Sequence, residues 1–495
     1  MSYSRIRKWI CGSAGDPGNA DVIAFILLFT PSRKGTQRRN GLHFIRESWR
    51  LFPSLPFAGN KVTRLNSYVT IHNLTNQLFR QESGKLVSLL TKIFGTENLE
   101  TAEDVVQQTF IKALDSWQQS GIPENPAGWL FRVAKNNAID IIRKNRHSIQ
   151  YDFSGDERSL LKSEYTLSFT MDNLWNEEMV NDDLLRMMFA CCHPGISQEN
   201  QITIILKSLC GFSTAEVAKA FITSEDTISK RLYRTKEFFR MNKVPFVIPS
   251  VDELKSRTRT VLSVIYLLFN EGYYSTNHEQ LIRNDLIREA MFLCNLLTEN
   301  KHTHLPEVYA LMALMCFHSA RSESRVTEEG NIILLPFQDR SKWDRSLIAK
   351  GNQFMAKASF GNYVTSYHVE AAIAYEHCIA KTYEETNWPL ILDYYTWICI
   401  FYPSPVTELN KVVAVMQVHG AAAALEELQA IKEKSKLESY YLYYSILGEI
   451  HSMLKNGDLA NSNFERAIAL APSEMEKKML QQKMDRNFLN PDGVT

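Results

Sequence analysis

Apolar side chains recur every three to four residues along this chain from residue 68 onward, and that period constrains its fold more than any other feature. In TAEDVVQQTFIKALDSW, Val106, Phe110, Leu114 and Trp117 share one helical face, leaving Asp104, Gln107 and Lys112 outward. Farther on, Ile228, Leu232, Thr235 and Phe239 repeat the pattern. Pro, Gly and polar clusters separate helices and hardly ever strands, so the expected fold class is all-α. The period divides the chain into blocks. Residues 68–150 form a compact helical bundle, 151–182 an acidic linker without period, 183–243 a second helical block, and 250–495 a long helical region. Residues 1–65 mix basic, Gly/Pro and aromatic residues without a sustained period, and read as a poorly ordered extension or a misassigned start.

Charge limits what the chain can bind by its overall field. Its 495 residues carry 55 Lys+Arg against 55 Asp+Glu. Residues 1–65 alone hold 11 bases and 3 acids, so the remainder is mildly acidic. Any contact with nucleic acid must come from local patches. The eight cysteines are scattered with no CxxC pair, which fits a reducing cytoplasm rather than a disulfide framework. The apolar run VIAFILLF at 22–29 is too short to span a bilayer and too far from the leading bases for a signal peptide. No membrane role is expected.

Two such patches are visible. In TAEVAKAFITSEDTISKRLYRTK, residues 214–236, Thr214 is placed to cap a short helix through Phe221. Thr223 or Ser224 is placed to cap a second, with Glu225 and Asp226 in its first turn, where the helix dipole favours acids. The second helix turns Ser229, Lys230, Tyr233, Arg234 and Lys236 outward, the pattern of a helix-turn-helix. Lys and Arg neutralise phosphates and donate to guanine edges; a solvated basic face is the competing reading. Upstream, GIPENPAGWLFRVAKNNAIDIIRKNRH is a Pro-bounded loop followed by a helix with Leu130, Val133, Ala134 and Ile141 inward. Arg132, Lys135, Asn136 and Arg143 share its opposite face. Bases beside Trp129 and Phe131 suit single-stranded DNA, where rings stack and cations meet phosphates. Core aromatics under a solvated face are the alternative.

The C-terminal end carries an internal pattern. In YYLYYSILGEIHSMLKNGDLANSNFERAIALAPS, Tyr444, Leu447, Gly448, His451, Ala460, Phe464, Ala467 and Pro472 occupy the defining places of a tetratricopeptide repeat counted from Tyr441, with His451 where Tyr is usual. Small Gly448 and Ala460 allow two helices to approach, and Leu447 and Phe464 fill the gap. One such unit cannot bury its own face, so neighbours are implied, and 403–431 is a degenerate companion hinged at Gly420. An ordinary helical hairpin is the alternative.

Taken together, AEDVVQQTFIKALDSW…NPAGWLFRVAKNNAIDIIRK resembles region 2 of bacterial sigma factors of the extracytoplasmic-function type, and GFSTAEVAKAFITSEDTISKRLYRTKEFF resembles their region 4. DDLLRMMFACCHPGIS, IYLLFNEGY, QDRSKWDRSLIAKGN, NWPLILDYY and PSPVTELNKVVAV are similar to a subgroup with a fused C-terminal tetratricopeptide-like α-solenoid. The resemblance covers roughly residues 69–490. It implies core RNA polymerase and promoter DNA as partners, and a protein partner for the repeats. Asp104, Gln107 and Phe110 match the polymerase-docking motif. The loop 118–128 with Trp129, Arg132, Lys135 and Asn136 matches the part that captures an extruded base of the minus-10 element, and Arg143 extends that face. Ser229, Lys230, Tyr233 and Arg234 would enter the major groove of the minus-35 element, with Thr214, Thr227 and Lys236 completing the set.

Other motifs attract weaker readings. CCHP at Cys191–Pro194 lacks the second ligand pair of a structural zinc site, and buried helix-end residues are expected instead. His302 and His304 stand in a loop without a nearby acid pair. SAGDPGNAD lacks the GK[ST] of a phosphate loop. With no nucleophile–base constellation, no enzyme, metal or cofactor is expected. Two competing functions are kept: an autonomous helix-turn-helix regulator, and a hydrolase in 250–400 using Asp339 or Asp344.

Overall fold

The computed structural model describes residues 62–145, 164–176, 179–220, 223–274, 282–327, 331–361 and 363–489. Apart from one antiparallel bridge between Val326 and Ile332, the regular structure among them is helical. The all-α expectation holds. The expected extension lies almost wholly outside the described residues.

The N-terminal part is built on the long helix α1 (Val62–Phe94), which packs against α2 (Leu99–Ser120), α3 (Pro126–Asn145) and α5 (Val180–Cys191). Along α2 the buried set Ala102, Val105, Val106, Thr109, Phe110, Ala113 and Trp117 follows the helical period. The segment 151–182 differs from an unpatterned linker, because α4 (Glu164–Leu174) lies inside it. Leu167, Met171 and Leu174 bury one stripe there, and Trp175 meets Phe131 edge to face at 6.4 Å.

Next come α6 (Gln198–Ser208), α7 (Thr214–Ala220) and α8 (Glu225–Asn242). They do not form a separate body. An added Cβ on Gly84 of α1 would lie 2.0 Å from the carbonyl oxygen of Leu209, so only glycine admits this approach of α1 to the turn after α6. Thr96 Oγ1 donates to the Val244 carbonyl at 2.5 Å, joining the start of α2 to the end of α8. Lys92 of α1 reaches the fully buried Asp183 of α5 at 3.0 Å.

Helices α9 (Val251–Tyr273), α10 (Asn284–Glu299), α11 (Pro306–Ser319), α12 (Arg345–Ala358), α13 (Ser366–Ile379) and α14 (Trp388–Phe401) continue the same core. Residues 306–318 of α11 are all buried, so this helix is wrapped by its neighbours rather than amphipathic. α15 (Pro405–Ala430) breaks at Gly420, whose φ of 85° and ψ of 177° leave the helical region where a hinge was expected. α16 (Tyr441–Met453) and α17 (Gly457–Leu470) pack tightly, and α18 (Glu474–Leu489) closes the chain. A Cβ on Gly448 would meet the Phe464 ring at 2.8 Å, and Ala460 is fully buried. That is the close approach the sequence pattern requires.

Candidate polymerase- and DNA-binding surfaces

Three exposed helix faces carry the predicted functional residues. On α2, Asp104 and Gln107 are exposed. Phe110 is not: it is 5 % exposed and meets Phe79 edge to face at 4.9 Å, so it belongs to the core beneath the face that carries Asp104 and Gln107. Partial burial, and then Glu103 and Glu100, raise the Asp104 carboxyl above its ordinary value, against the pull of Lys236.

Helix α3 follows a loop in which Asn125 Oδ1 accepts the Gly128 N–H at 2.9 Å, fixing the helix start. Leu130 and Ala134 are buried, and Val133 and Ile141 are half-buried. Trp129 is half-buried, edge to face against Trp117 at 5.5 Å. Arg132, Asn136 and Arg143 are exposed, with Arg143 4.0 Å from Asp140. Lys135 is partly covered and forms an ion pair with Asp172 of α4, a partner the linker reading could not foresee. Lys112 Nζ to Asn137 Oδ1 at 2.5 Å ties α2 to α3 beside this face.

On α8, Ser224 Oγ accepts the Thr227 N–H at 3.1 Å, as one of the two cap candidates predicted. The Thr227 hydroxyl itself meets Ser224 Oγ at 2.9 Å. Ser229, Lys230, Tyr233 and Arg234 are exposed together, Tyr233 at 62 %. Lys230 pairs with Asp226 at 2.6 Å on this solvated surface.

Two expectations need correcting. Thr214 does not cap α7; Ser213 does, accepting the Glu216 N–H at 3.1 Å while Glu216 accepts the Ser213 N–H at 2.8 Å. Lys236 does not join the outward face; its ammonium lies 2.7 Å from Glu103 and 3.9 Å from Glu100 of α2. It stands four residues after the buried Leu232, at the border of the inward stripe, where the period alone decides nothing.

Sequence reading missed the residue that joins the parts. Arg80 of α1 forms an ion pair with Glu216 of α7, lies 3.7 Å from Asp285 of α10, and stacks 4.5 Å from the Phe212 ring centroid. Its partners are 136 and 205 positions away, beyond any local pattern.

SAGDPGNAD and VIAFILLF lie outside the described residues, and the remaining motifs within them take structural places. Cys191 and Cys192 are buried at the end of α5, where burial pushes the Cys192 thiol up to about 12. Asp339 accepts the Ser341 N–H at 2.9 Å, and Asp344 caps α12 through Ser346 and Leu347. No group of three or more residues able to hold a metal ion occurs among the described residues. No helix among them is long and apolar enough to cross a membrane.

Residues 78–148, the span of these first two faces, match the family described as Sigma-70 region 2. Residues 257–359 match a family of unknown function, DUF6596. An uncharacterised protein of Rhizobium meliloti is 32 % identical over 397 residues, 80 % of this chain and 92 % of that protein. The ECF RNA polymerase sigma factor SigL of Mycobacterium tuberculosis is 31 % identical over 147 residues, 30 % of this chain and 76 % of that protein. SigW of Bacillus subtilis, also an ECF RNA polymerase sigma factor, is 24 % identical over 160 residues, 32 % of this chain and 81 % of that protein. No solved structure matches. The faces of α2 and α3 thus lie within the span that matches Sigma-70 region 2, and the chain belongs to the ECF sigma-factor family, extended by a large helical C-terminal part.

Proposed function

We propose that this chain is a sigma subunit that binds core RNA polymerase through Asp104 and Gln107 and directs it to promoter DNA. The observation that carries the reading is the region 2 match on 78–148 together with the exposed faces within it. Arg132, Asn136 and Arg143, beside the half-buried Trp129, would hold a base extruded from the minus-10 element; Lys135 would join them on leaving Asp172. Extrusion costs a few kcal/mol of stacking, and one aromatic platform returns about 1–3 kcal/mol. α7 and α8 would act as a helix-turn-helix, with Ser229, Lys230, Tyr233 and Arg234 in the major groove of the minus-35 element.

The C-terminal part would serve as a tetratricopeptide-like regulatory or protein-binding domain. Its contact with the other modules supports a regulatory role. Asp285 of α10 meets Arg80, and Arg80 meets Glu216, so one guanidinium ties the C-terminal part to both candidate DNA-binding modules. In this arrangement α8 lies against α2 beside Asp104.

The reading is tested by the affinity of the full chain for purified core polymerase. The Asp104→Ala, Gln107→Ala double variant should bind at least tenfold more weakly, about 1.4 kcal/mol. An autonomous DNA-binding regulator would show no specific polymerase binding and unchanged DNA binding in the same variant.

A further inference from the structure

The QDRSKWDR segment holds two residues that the capping roles of Asp339 and Asp344 leave unexplained. Arg340 stands 4.6 Å from the Trp343 ring centroid, and the Arg321 guanidinium lies 5.8 Å from the same ring. A third guanidinium, on Arg325, stacks 3.7 Å from the Tyr273 ring, whose hydroxyl accepts from Arg321 at 3.0 Å. Arg321 is only 2 % exposed, and Arg325 and Arg340 are half-buried. None of the three forms an ion pair with a carboxylate among the described residues. Glu384 acts on Arg340 from beyond ion-pair distance, yet positive charge of this density is costly away from water.

Part of it has an internal explanation. Arg340 Nη1 donates to the carbonyls of His377 and Ala380 at 2.6 and 2.8 Å, at the C-terminus of α13. Arg325 Nη1 donates to the Tyr273 carbonyl at 2.5 Å, at the C-terminus of α9. Guanidiniums suit those negative helix ends. Three things remain. Arg321 hydrogen-bonds the Tyr273 hydroxyl and, at 3.1 Å, His318 Nδ1, with no carboxylate beside it among the described residues. Arg340 Nη2 and the Trp343 indole N–H are buried with no hydrogen-bond partner. Both unpartnered atoms are donors, so the missing partner is an acceptor. Burial and the surrounding arginines hold His318 and His377 well below their ordinary values, so the positive charge of the cluster rests on the arginines.

We propose that Arg321, Arg340 and Trp343 form a binding site for a small oxyanion of the phosphate class, either free phosphate or the phosphate group of a small metabolite. The unpartnered Arg340 Nη2 and Trp343 indole N–H supply two donors to such an oxyanion, and the Arg321 guanidinium beside the same ring adds positive charge. The occupied site would cross-link the 340–343 turn to the end of α11. It assigns a ligand to the segment matched by the family of unknown function, and it stands or falls independently of polymerase binding.

The test is calorimetric titration of the full chain with inorganic phosphate and with glycerol phosphate, against chloride at matched ionic strength. Saturable phosphate binding with a raised Tm is expected, and tighter binding of glycerol phosphate identifies a metabolite as the source. Trp343→Phe keeps the ring and deletes the donor. Arg340→Lys keeps the charge and the reach to the α13 carbonyls. Each should weaken phosphate binding by about tenfold or more, the loss of one charge-assisted hydrogen bond, while unliganded Tm changes little in Trp343→Phe. Absence of saturable binding by the wild type overturns the proposal. So does phosphate affinity unchanged in both variants, which would leave the arginines as helix caps only.

Discussion

The Lys236 ammonium of α8 lies 2.7 Å from the Glu103 carboxylate of α2, one residue from Asp104. Glu103 also accepts from Ser208 Oγ at 2.6 Å, so three helices meet at one carboxylate. Lys236→Glu would set a fourth carboxylate against Glu100, Glu103 and Asp104. The pair is partly exposed, so the expected loss of stability is about 1 kcal/mol. If the contact restrains the candidate docking face, Lys236→Glu binds core polymerase more tightly than the wild type, and the charge swap with Glu103→Lys restores the wild-type value.

The corrected position of Lys236 separates it from its neighbours on α8. Arg234→Ala should lower the slope of log affinity against log salt for promoter DNA by about one, measured on the polymerase complex. Lys236→Gln should leave that slope unchanged. Equal effects of both would return Lys236 to the DNA face.

Gly84→Ala places a Cβ against the Leu209 carbonyl oxygen, which backbone cannot easily yield. Destabilisation of about 2–3 kcal/mol is expected, in the range for overpacking, read by denaturant unfolding. Gly121→Ala controls for glycine loss alone: nothing lies within 4 Å of its added Cβ, although its φ of 81° brings some strain.

The Glu449 carboxyl is buried, and burial pushes it up to about 7 despite its ion pair with Lys483. The folded chain therefore keeps this proton to higher pH than the unfolded chain. Stability from this group falls as pH rises from about 4.5 to 7, by at most about 1.4 kcal/mol per pH unit. Glu449→Gln should match the wild type near about pH 5 and exceed it above about pH 7 in thermal unfolding. A difference independent of pH would contradict the assignment.

The inward faces of the helices were legible because burial follows the period: Val106, Phe110 and Trp117 on α2, and Ile228, Leu232, Thr235 and Phe239 on α8, are all buried. The Gly420 break and the Gly448–Phe464 approach were legible because they depend on one or two residue types at fixed spacing. What the period could not give was the partner of a border residue. Lys236 and Arg80 are decided by carboxylates more than a hundred positions away, and a basic side chain looks the same in sequence whether it meets DNA or Glu103. Helix α4 was hidden by its polar surroundings, although Leu167, Met171 and Leu174 keep the helical spacing. On Phe110 the docking motif and the inward stripe overlap on one side chain, and the stripe alone gives its burial.

The most direct measurement is in-vitro transcription by purified bacterial core polymerase, supplied with the full chain, on the DNA upstream of its own reading frame. The account predicts initiation at a defined start site, lost in the Asp104→Ala, Gln107→Ala double variant and weakened by Arg132→Ala. No initiation from any promoter, with sequence-specific DNA binding intact in the absence of polymerase, would contradict it.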